Sequence, residues 1–240
     1  NLLYEGNNTI DAALHNIKTQ TENPSTFKYE NILNLLNVKY VVLRKEVNLS
    51  YLKLVEATSF YDKRHDLNYS VYVYENIDTL PRAFVVPNAS VVLDKNILFD
   101  KLKSFEPKNE ILLEKNIEFP LINKAKYKEV KIDYYSPNKI ELNVSMEASG
   151  FLVLSETYYS GWKAFDNGKE ITVMKADYIL RSVYLEKGFH KIKFVYEPVG
   201  FNTGAIITLL TIIVLASFAV WRKLWRKLIL AVVQLQKKDI

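Results

Sequence analysis

From Pro198 to Trp221 the chain runs for 24 residues without a charged side chain. No other feature restricts its fold as much. Within Ala205–Trp221, AIITLLTIIVLASFAVW, ten of 17 residues are Ile, Leu, Val or Phe. At roughly −0.3 to −0.6 kcal/mol each near a helix centre, ten such residues contribute about −3 to −6 kcal/mol towards membrane insertion. Together with residues 199–204 the run is long enough, at about 1.5 Å per residue, to cross ~30 Å of hydrocarbon. In hydrocarbon a backbone must satisfy its own hydrogen bonds, so residues 199–221 are predicted to form a transmembrane helix. A helix buried in a soluble core would normally show a polar face. This one offers Thr208, Thr211 and Ser217.

The next residues set a direction. Trp221-Arg222-Lys223-Leu224-Trp225-Arg226-Lys227 puts two Trp and four cations at one boundary, the pattern of an aromatic belt and of the positive-inside rule. Trp221, Arg222, Lys223, Trp225, Arg226 and Lys227 are therefore expected at the membrane interface. Residues 222–240 then form a basic cytoplasmic tail, and the large N-terminal portion lies outside the cell membrane. Net charge sharpens this. The chain has 32 Lys+Arg and 27 Asp+Glu, a balance of +5. Six of those cations, and of the acids only Asp239, follow Trp221, so residues 1–221 balance at 26 against 26. A neutral body argues against a nucleic-acid partner, which would call for a basic face. The bilayer is the expected partner. Leu224, Leu228, Val232 and Leu235 repeat near helical spacing among Arg, Lys and Gln. They fit either a short amphipathic helix on anionic lipid or a straight extension of the span.

Other chemistry is excluded by what is missing. With no cysteine, disulfide frameworks, Cys-zinc sites and thiol catalysis are ruled out. His15, His65 and His190 stand far apart with no HxH or HExxH spacing, so no metal site is expected. No Walker loop, GxGxxG or GxSxG occurs. The chain opens at Asn1 without a basic-then-apolar leader, and it reads as the C-terminal piece of a longer protein. No catalytic residue and no cofactor are assigned to this piece. Five Asn-x-Ser/Thr sites, at Asn7, Asn48, Asn68, Asn88 and Asn143, matter only in a host that glycosylates.

Residues 1–125 read as mixed α and β. A helix is expected over 24–36, with Pro24 in its first turn. Strands are expected at Val38–Leu43, Leu52–Ala57, Tyr69–Tyr74, Ala83–Val86 and Ile111–Leu113. Asp94–Ser104 has helical spacing, with Asp94 a candidate N-cap. From 126 to 198 the texture becomes all-β. Val130, Ile132 and Tyr134, then Ile140, Leu142, Val144 and Met146, then Ile192, Phe194 and Tyr196, alternate with polar neighbours. Phe151–Ser155 is almost entirely apolar, as a central strand would be. Asp166-Asn167-Gly168-Lys169 is a strong hairpin turn because Asn-Gly accepts positive φ. Glu186-Lys187-Gly188 is a second turn. Period-two runs broken every ~8–12 residues predict a β-sandwich or jelly roll. The fold class is thus mixed α+β leading into an all-β sandwich, followed by one transmembrane helix. Pro198 closes the last strand, so the sandwich is expected to stand directly on the bilayer.

Functional side chains concentrate in Leu154–Ala164, LSETYYSGWKA. Tyr158, Tyr159 and Trp162 beside Glu156 could stack on and hydrogen-bond to a sugar. Equally, Trp162 and one Tyr could plug the end of the sandwich, with Gly161 supplying an unusual backbone angle. Arg181 and Arg82 each admit a grip on phosphate or carboxylate or an internal salt bridge. Glu156 with Asp166, or Glu156 with Asp177, could be imagined as a glycosidase pair, but sequence does not give their separation and surface acids are common. The candidate glycan contacts are Glu156, Tyr158, Tyr159, Trp162 and Arg181.

In several of these stretches the chain resembles the bacterial YfhO-like membrane proteins. The matching segments are Leu35–Val42 (LLNVKYVV), Val71–Asn76 (VYVYEN), Leu80–Val86 (LPRAFVV), Ser136–Val144 (SPNKIELNV), Leu152–Phe165 (LVLSETYYSGWKAF), Asn167–Glu170 (NGKE), Leu180–Pro198 and the final helix. They occur in the family's order over about 180 residues of the chain. Ser160 departs from the pattern, since the family commonly has Pro between Tyr-Tyr and Gly-Trp. The resemblance implies a polytopic, GT-C-like glycosyltransferase that moves sugar from a polyprenyl-phosphate carrier to an envelope glycopolymer of the teichoic-acid kind, with a divalent metal in the parent enzyme. Its catalytic acids would sit in early outer loops, outside this chain. What remains here would be the accessory ectodomain and last membrane helix, packed with upstream helices of the parent. The other reading is a membrane-anchored sandwich that binds a partner or a carbohydrate without taking part in catalysis.

Overall fold

Alternation along the second half of the chain becomes two facing sheets. The structure, a computed structural model, describes residues 30–62, 67–198 and 200–236. It divides into two units, one ending at Val195 and one beginning at Tyr196. The expected helix over 24–36 is present as α1 (Glu30–Leu35); its first residues, like His15 and His65, lie outside the described residues.

The first strands, β1 (Tyr40–Leu43), β2 (Leu52–Asp62) and β3 (Leu67–Asn76), form a three-stranded antiparallel sheet in the order β1-β3-β2. Tyr51, Leu52 and Tyr74 bury one side of it. Both β2 and β3 run longer than their apolar spacing suggests, because mutual pairing from Leu52↔Asn76 to Asp62↔Leu67 carries them into polar sequence.

Next come β4 (Ala83–Val86) and β5 (Asn88–Val91), then α2 (Lys95–Leu102) and β6 (Glu110–Leu113). Asp94 caps α2 as expected, Oδ1 accepting from the N–H of Asn96 at 2.8 Å and Ile97 at 3.0 Å. The short β5 pairs in parallel with β6, α2 serving as the crossover between them. Pro87 hid this strand in the sequence.

The remaining strands are β7 (Lys128–Glu129), β8 (Ile132–Ser136), β9 (Lys139–Met146), β10 (Gly150–Thr157), β11 (Trp162–Asp166), β12 (Lys169–Ile171), β13 (Met174–Ala176), β14 (Leu180–Leu185) and β15 (Gly188–Tyr196). One sheet has the order β5-β6-β13-β14-β10-β4-β7 and the other β12-β11-β15-β9-β8. Ile140, Leu142, Leu152, Leu154, Val183, Ile192 and Phe194 fill the space between them. The seven-stranded sheet is also covered on its other face, where Phe84, Phe151 and Val153 pack with Leu98 and Leu102 of α2. Burial on both faces explains why Phe151–Leu154 is apolar without alternation. Strands from both sides of residue 125 share this sheet, so residues 83–113 complete the sandwich. The hairpin turn is as expected, with Asn167 at φ 49° and Gly168 at φ 87° between paired Asp166 and Lys169.

The second unit is the helix α3 (Phe201–Gln236). Its 36 residues extend about 54 Å at 1.5 Å each, well beyond the ~30 Å hydrocarbon layer. Of the two readings of the tail, the straight extension of the span is the one observed. Thr203–Arg226 is long and apolar enough to cross a membrane, and none of its apolar window is buried against protein. The hydroxyls of Thr208, Thr211 and Ser217 donate to the carbonyls of Gly204, Ile207 and Ile213 at 2.8–2.9 Å. The few polar groups of the span are thus satisfied within the helix itself.

Candidate functional site

Along β14, residues 181, 183 and 185 point between the sheets. Val183 and Leu185 are ordinary core residues there; Arg181 is a cation, and 1 % exposed. Its guanidinium lies 3.8 Å from the centroid of the Trp162 ring and 5.7 Å from that of Phe194. Its Nη2 stands 3.7 Å from Glu156 Oε2. A register shift between Leu154 and Thr157 in β10 sets the position of Glu156. The other carboxylate oxygen accepts from the Tyr135 hydroxyl at 2.9 Å and lies 3.5 Å from Arg82 Nη1. Arg82 in turn covers the Tyr135 ring at 5.2 Å.

One carboxylate therefore holds two guanidiniums, and each guanidinium lies against an aromatic ring. Burial pulls the Arg181 pKa down to about 10, while Glu156 and then Tyr135 push it back up, so it remains a cation at neutral pH. The Tyr135 hydroxyl is held above its usual range, first by its hydrogen bond to Glu156 and then by burial. Nε and Nη1 of Arg181 are buried without a hydrogen-bond partner among the described residues. The Trp162 and Phe194 faces provide the compensating contact through cation–π attraction.

The structure thus brings Glu156, Trp162 and Arg181 together, but as a closed network. One face of the Trp162 ring is occupied by Arg181. Tyr158 is half-buried, and its N–H donates to the Ile179 carbonyl. Tyr159 remains 45 % exposed, on the loop that Gly161 turns at φ 106°. Tyr135 is the member of this group that sequence reasoning missed; its signal was its place on β8, next to the strand that carries Ile140. Neither imagined glycosidase pair has support. Asp166 lies at the far end of β11, bonded to His190. Asp177 is buried, its Oδ1 accepting from the Leu112 N–H at 2.8 Å, and burial raises its pKa to about 7.

Among the described residues no group of three or more His, Asp or Glu side chains could hold a metal ion. On α3 the Trp221 and Trp225 rings stack with centroids 5.8 Å apart, and Phe218 lies 5.9 Å from Trp221. Arg222, Lys223 and Arg226 follow the same turns; the Lys227 side chain is outside the described residues.

A β-sandwich in one unit and an apolar, membrane-length helix in the other define the class: a membrane protein with a β-rich domain. Residues 120–208 match the model of the family described as bacterial membrane protein YfhO. The chain is 32% identical over 122 residues to the uncharacterized protein YfhO of Bacillus subtilis (strain 168), covering 50% of this chain and 14% of that protein. Over these residues the chain is similar to YfhO. It spans about one seventh of the length of the curated relative it matches. No solved structure matches it.

Proposed function

We propose that the chain is the accessory extracytoplasmic domain and last membrane helix of a polytopic membrane glycosyltransferase. The parent would move sugar from a polyprenyl-phosphate carrier to an envelope glycopolymer. In this reading the Tyr158–Gly161 loop offers the Tyr159 ring to the acceptor, and the Glu156–Arg181–Trp162 network beneath fixes the loop rather than gripping the glycan directly. The observation that carries the reading is an exposed aromatic mounted on a rigid, ion-paired base, within the segment that matches the YfhO family. Preorganised supports of this kind are what binding sites need.

Two measurements test it. The chain in lipid nanodiscs should bind a teichoic-acid-type glycopolymer, and Tyr159→Ala should weaken that binding by about tenfold. No saturable binding would favour the second reading, a membrane-anchored interaction module; the closed state of Glu156, Trp162 and Arg181 is the feature that speaks for that one. Orientation is read by labelling. Because the chain has no cysteine, Ser160→Cys should react with an impermeant maleimide from outside intact cells, and Lys237→Cys should not. The reverse pattern would sink the topology.

A further inference from the structure

At the end of the sandwich remote from Arg181, a cleft of about 720 Å³ opens between the two sheets' connections. Asp166 at the end of β11, His190 on β15, Glu186 after β14, and Lys169 and Glu170 on the edge strand β12 contribute polar groups. Phe119 and Tyr184 supply an aromatic wall. Neither the family match nor the reading above assigns this place a role.

The walls are rigid. The Phe119 and Tyr184 rings stack at 4.7 Å with an interplanar angle of 14°, and Tyr184 also meets Phe151 edge-on at 5.4 Å. His190 ties the polar side together, with Nδ1 2.7 Å from Asp166 Oδ2 and Nε2 2.9 Å from the Glu186 carbonyl. Each ring nitrogen is therefore engaged by an oxygen of the protein. That leaves His190 no nitrogen for acid–base chemistry on a ligand, and the cleft binds rather than reacts. Asp166 Oδ1 is buried without a partner among the described residues.

Charge selects the ligand. The carboxylates Asp166, Glu170 and Glu186 outnumber the one lysine of the lining, Lys169. An anion is repelled, while hydroxyl and ammonium groups find carboxylate acceptors. The volume falls in the ~300–1,000 Å³ range of small-molecule sites, which combine an apolar wall with a few fixed polar groups. We infer that this cleft is a binding site for a mono- or disaccharide that carries no acidic group, its ring face against the outer side of the Phe119–Tyr184 stack and its hydroxyl or amine groups on the exposed carboxylates of Glu170 and Glu186. The site is separate from the Tyr159 loop and does not depend on the reading of that loop.

The test is titration of the 240-residue chain in nanodiscs with cellobiose, glucosamine and glucose 6-phosphate. Cellobiose and glucosamine should saturate, with glucose 6-phosphate weaker by about tenfold. The exposed pair Glu170→Lys with Glu186→Lys should weaken glucosamine about tenfold and narrow or reverse its advantage over glucose 6-phosphate. The carboxylate pair should act to the same extent in a Tyr159→Ala background, which removes any contribution of the other loop. The inference is overturned if none of the three saturates, or if wild type binds glucose 6-phosphate as tightly as glucosamine. It is also overturned if Tyr159→Ala, and not the carboxylate pair, removes binding. The wild-type charge preference is read without any variant, so poor folding of one would not shield the idea.

Discussion

The two ends of one sandwich solve the same problem in opposite ways. Both must close the gap where two sheets stop, and both put an ionisable group there. At the Trp162 end Arg181 is drawn fully between the sheets, covered by two aromatic rings and paired with Glu156. At the other end His190 spans two turns at the rim, and the space beside it stays open. A long guanidinium with a flat, weakly hydrated head fills the gap itself. A short imidazole only braces the walls, and a cleft survives. The difference teaches where function can reside: a group that serves as core is poorly placed to meet a ligand, whereas a brace leaves room for one.

The sharpest way to break this contrast is Arg181→Ala. It removes a buried cation from two rings and takes from Glu156 one of its partners, and should destabilise the domain by roughly 3–5 kcal/mol. Urea denaturation followed by circular dichroism checks it. A loss below about 1 kcal/mol would mean the closed end is not structural.

Asp177 tests the same end through pH. Burial raises its folded pKa to about 7, against ~3.8–3.9 for an unperturbed carboxyl. The folded state therefore keeps a proton that the unfolded state gives up. Its contribution is fully present below about pH 4 and is lost as pH rises through about 7. Asp177→Asn preserves an acceptor for the Leu112 N–H and should flatten that decline, giving a gain on the order of 2–4 kcal/mol above neutrality. Stability measured across this window, with no change of slope in the variant, would refute the assignment.

At the open end His190→Ala should cost about 2 kcal/mol, since two hydrogen bonds go and Asp166 loses its partner. The effect should be local, with faster amide exchange at residues 185–190 and little change around Arg181. Smallest is Gly168→Ala. Nothing lies within 4 Å of an added Cβ, but φ is +87°, so the penalty is conformational alone, about 1 kcal/mol. A larger loss would show that the hairpin beside the cleft packs more tightly than its surroundings indicate.

Much of this architecture is legible in residue order. Asp94 announces the cap of α2, Asn167-Gly168 announces the hairpin turn, and the apolar Phe151–Leu154 announces a strand covered on both faces. These are local signals, each carried by backbone angles or by the pattern of a few side chains. Others fail for equally physical reasons. β5 is four residues long and follows a proline, and only its parallel pairing with β6 makes it a strand. Residues 83–113 carry no sign that they belong to the later sandwich, because sheet partnership is a long-range contact. Trp162 and Tyr159 look alike in sequence as candidate ring platforms. Their surroundings separate them, one half-buried with a ring face against Arg181 and the other 45 % exposed.

The charge-free run from Pro198 marks a helix long and apolar enough to cross a membrane without reference to anything else, since hydrocarbon judges a segment by its own length and composition. The same is true of the alternating strands, because period two follows from backbone geometry. Pairing of Glu156 with Arg181 and Arg82, rather than with another acid, was decided only by the fold. So was the closing of one end of the sandwich and the opening of the other. Those outcomes depend on which strands lie side by side, and on the depth at which each charge meets its partner. Neither quantity is stored in any one stretch of the chain.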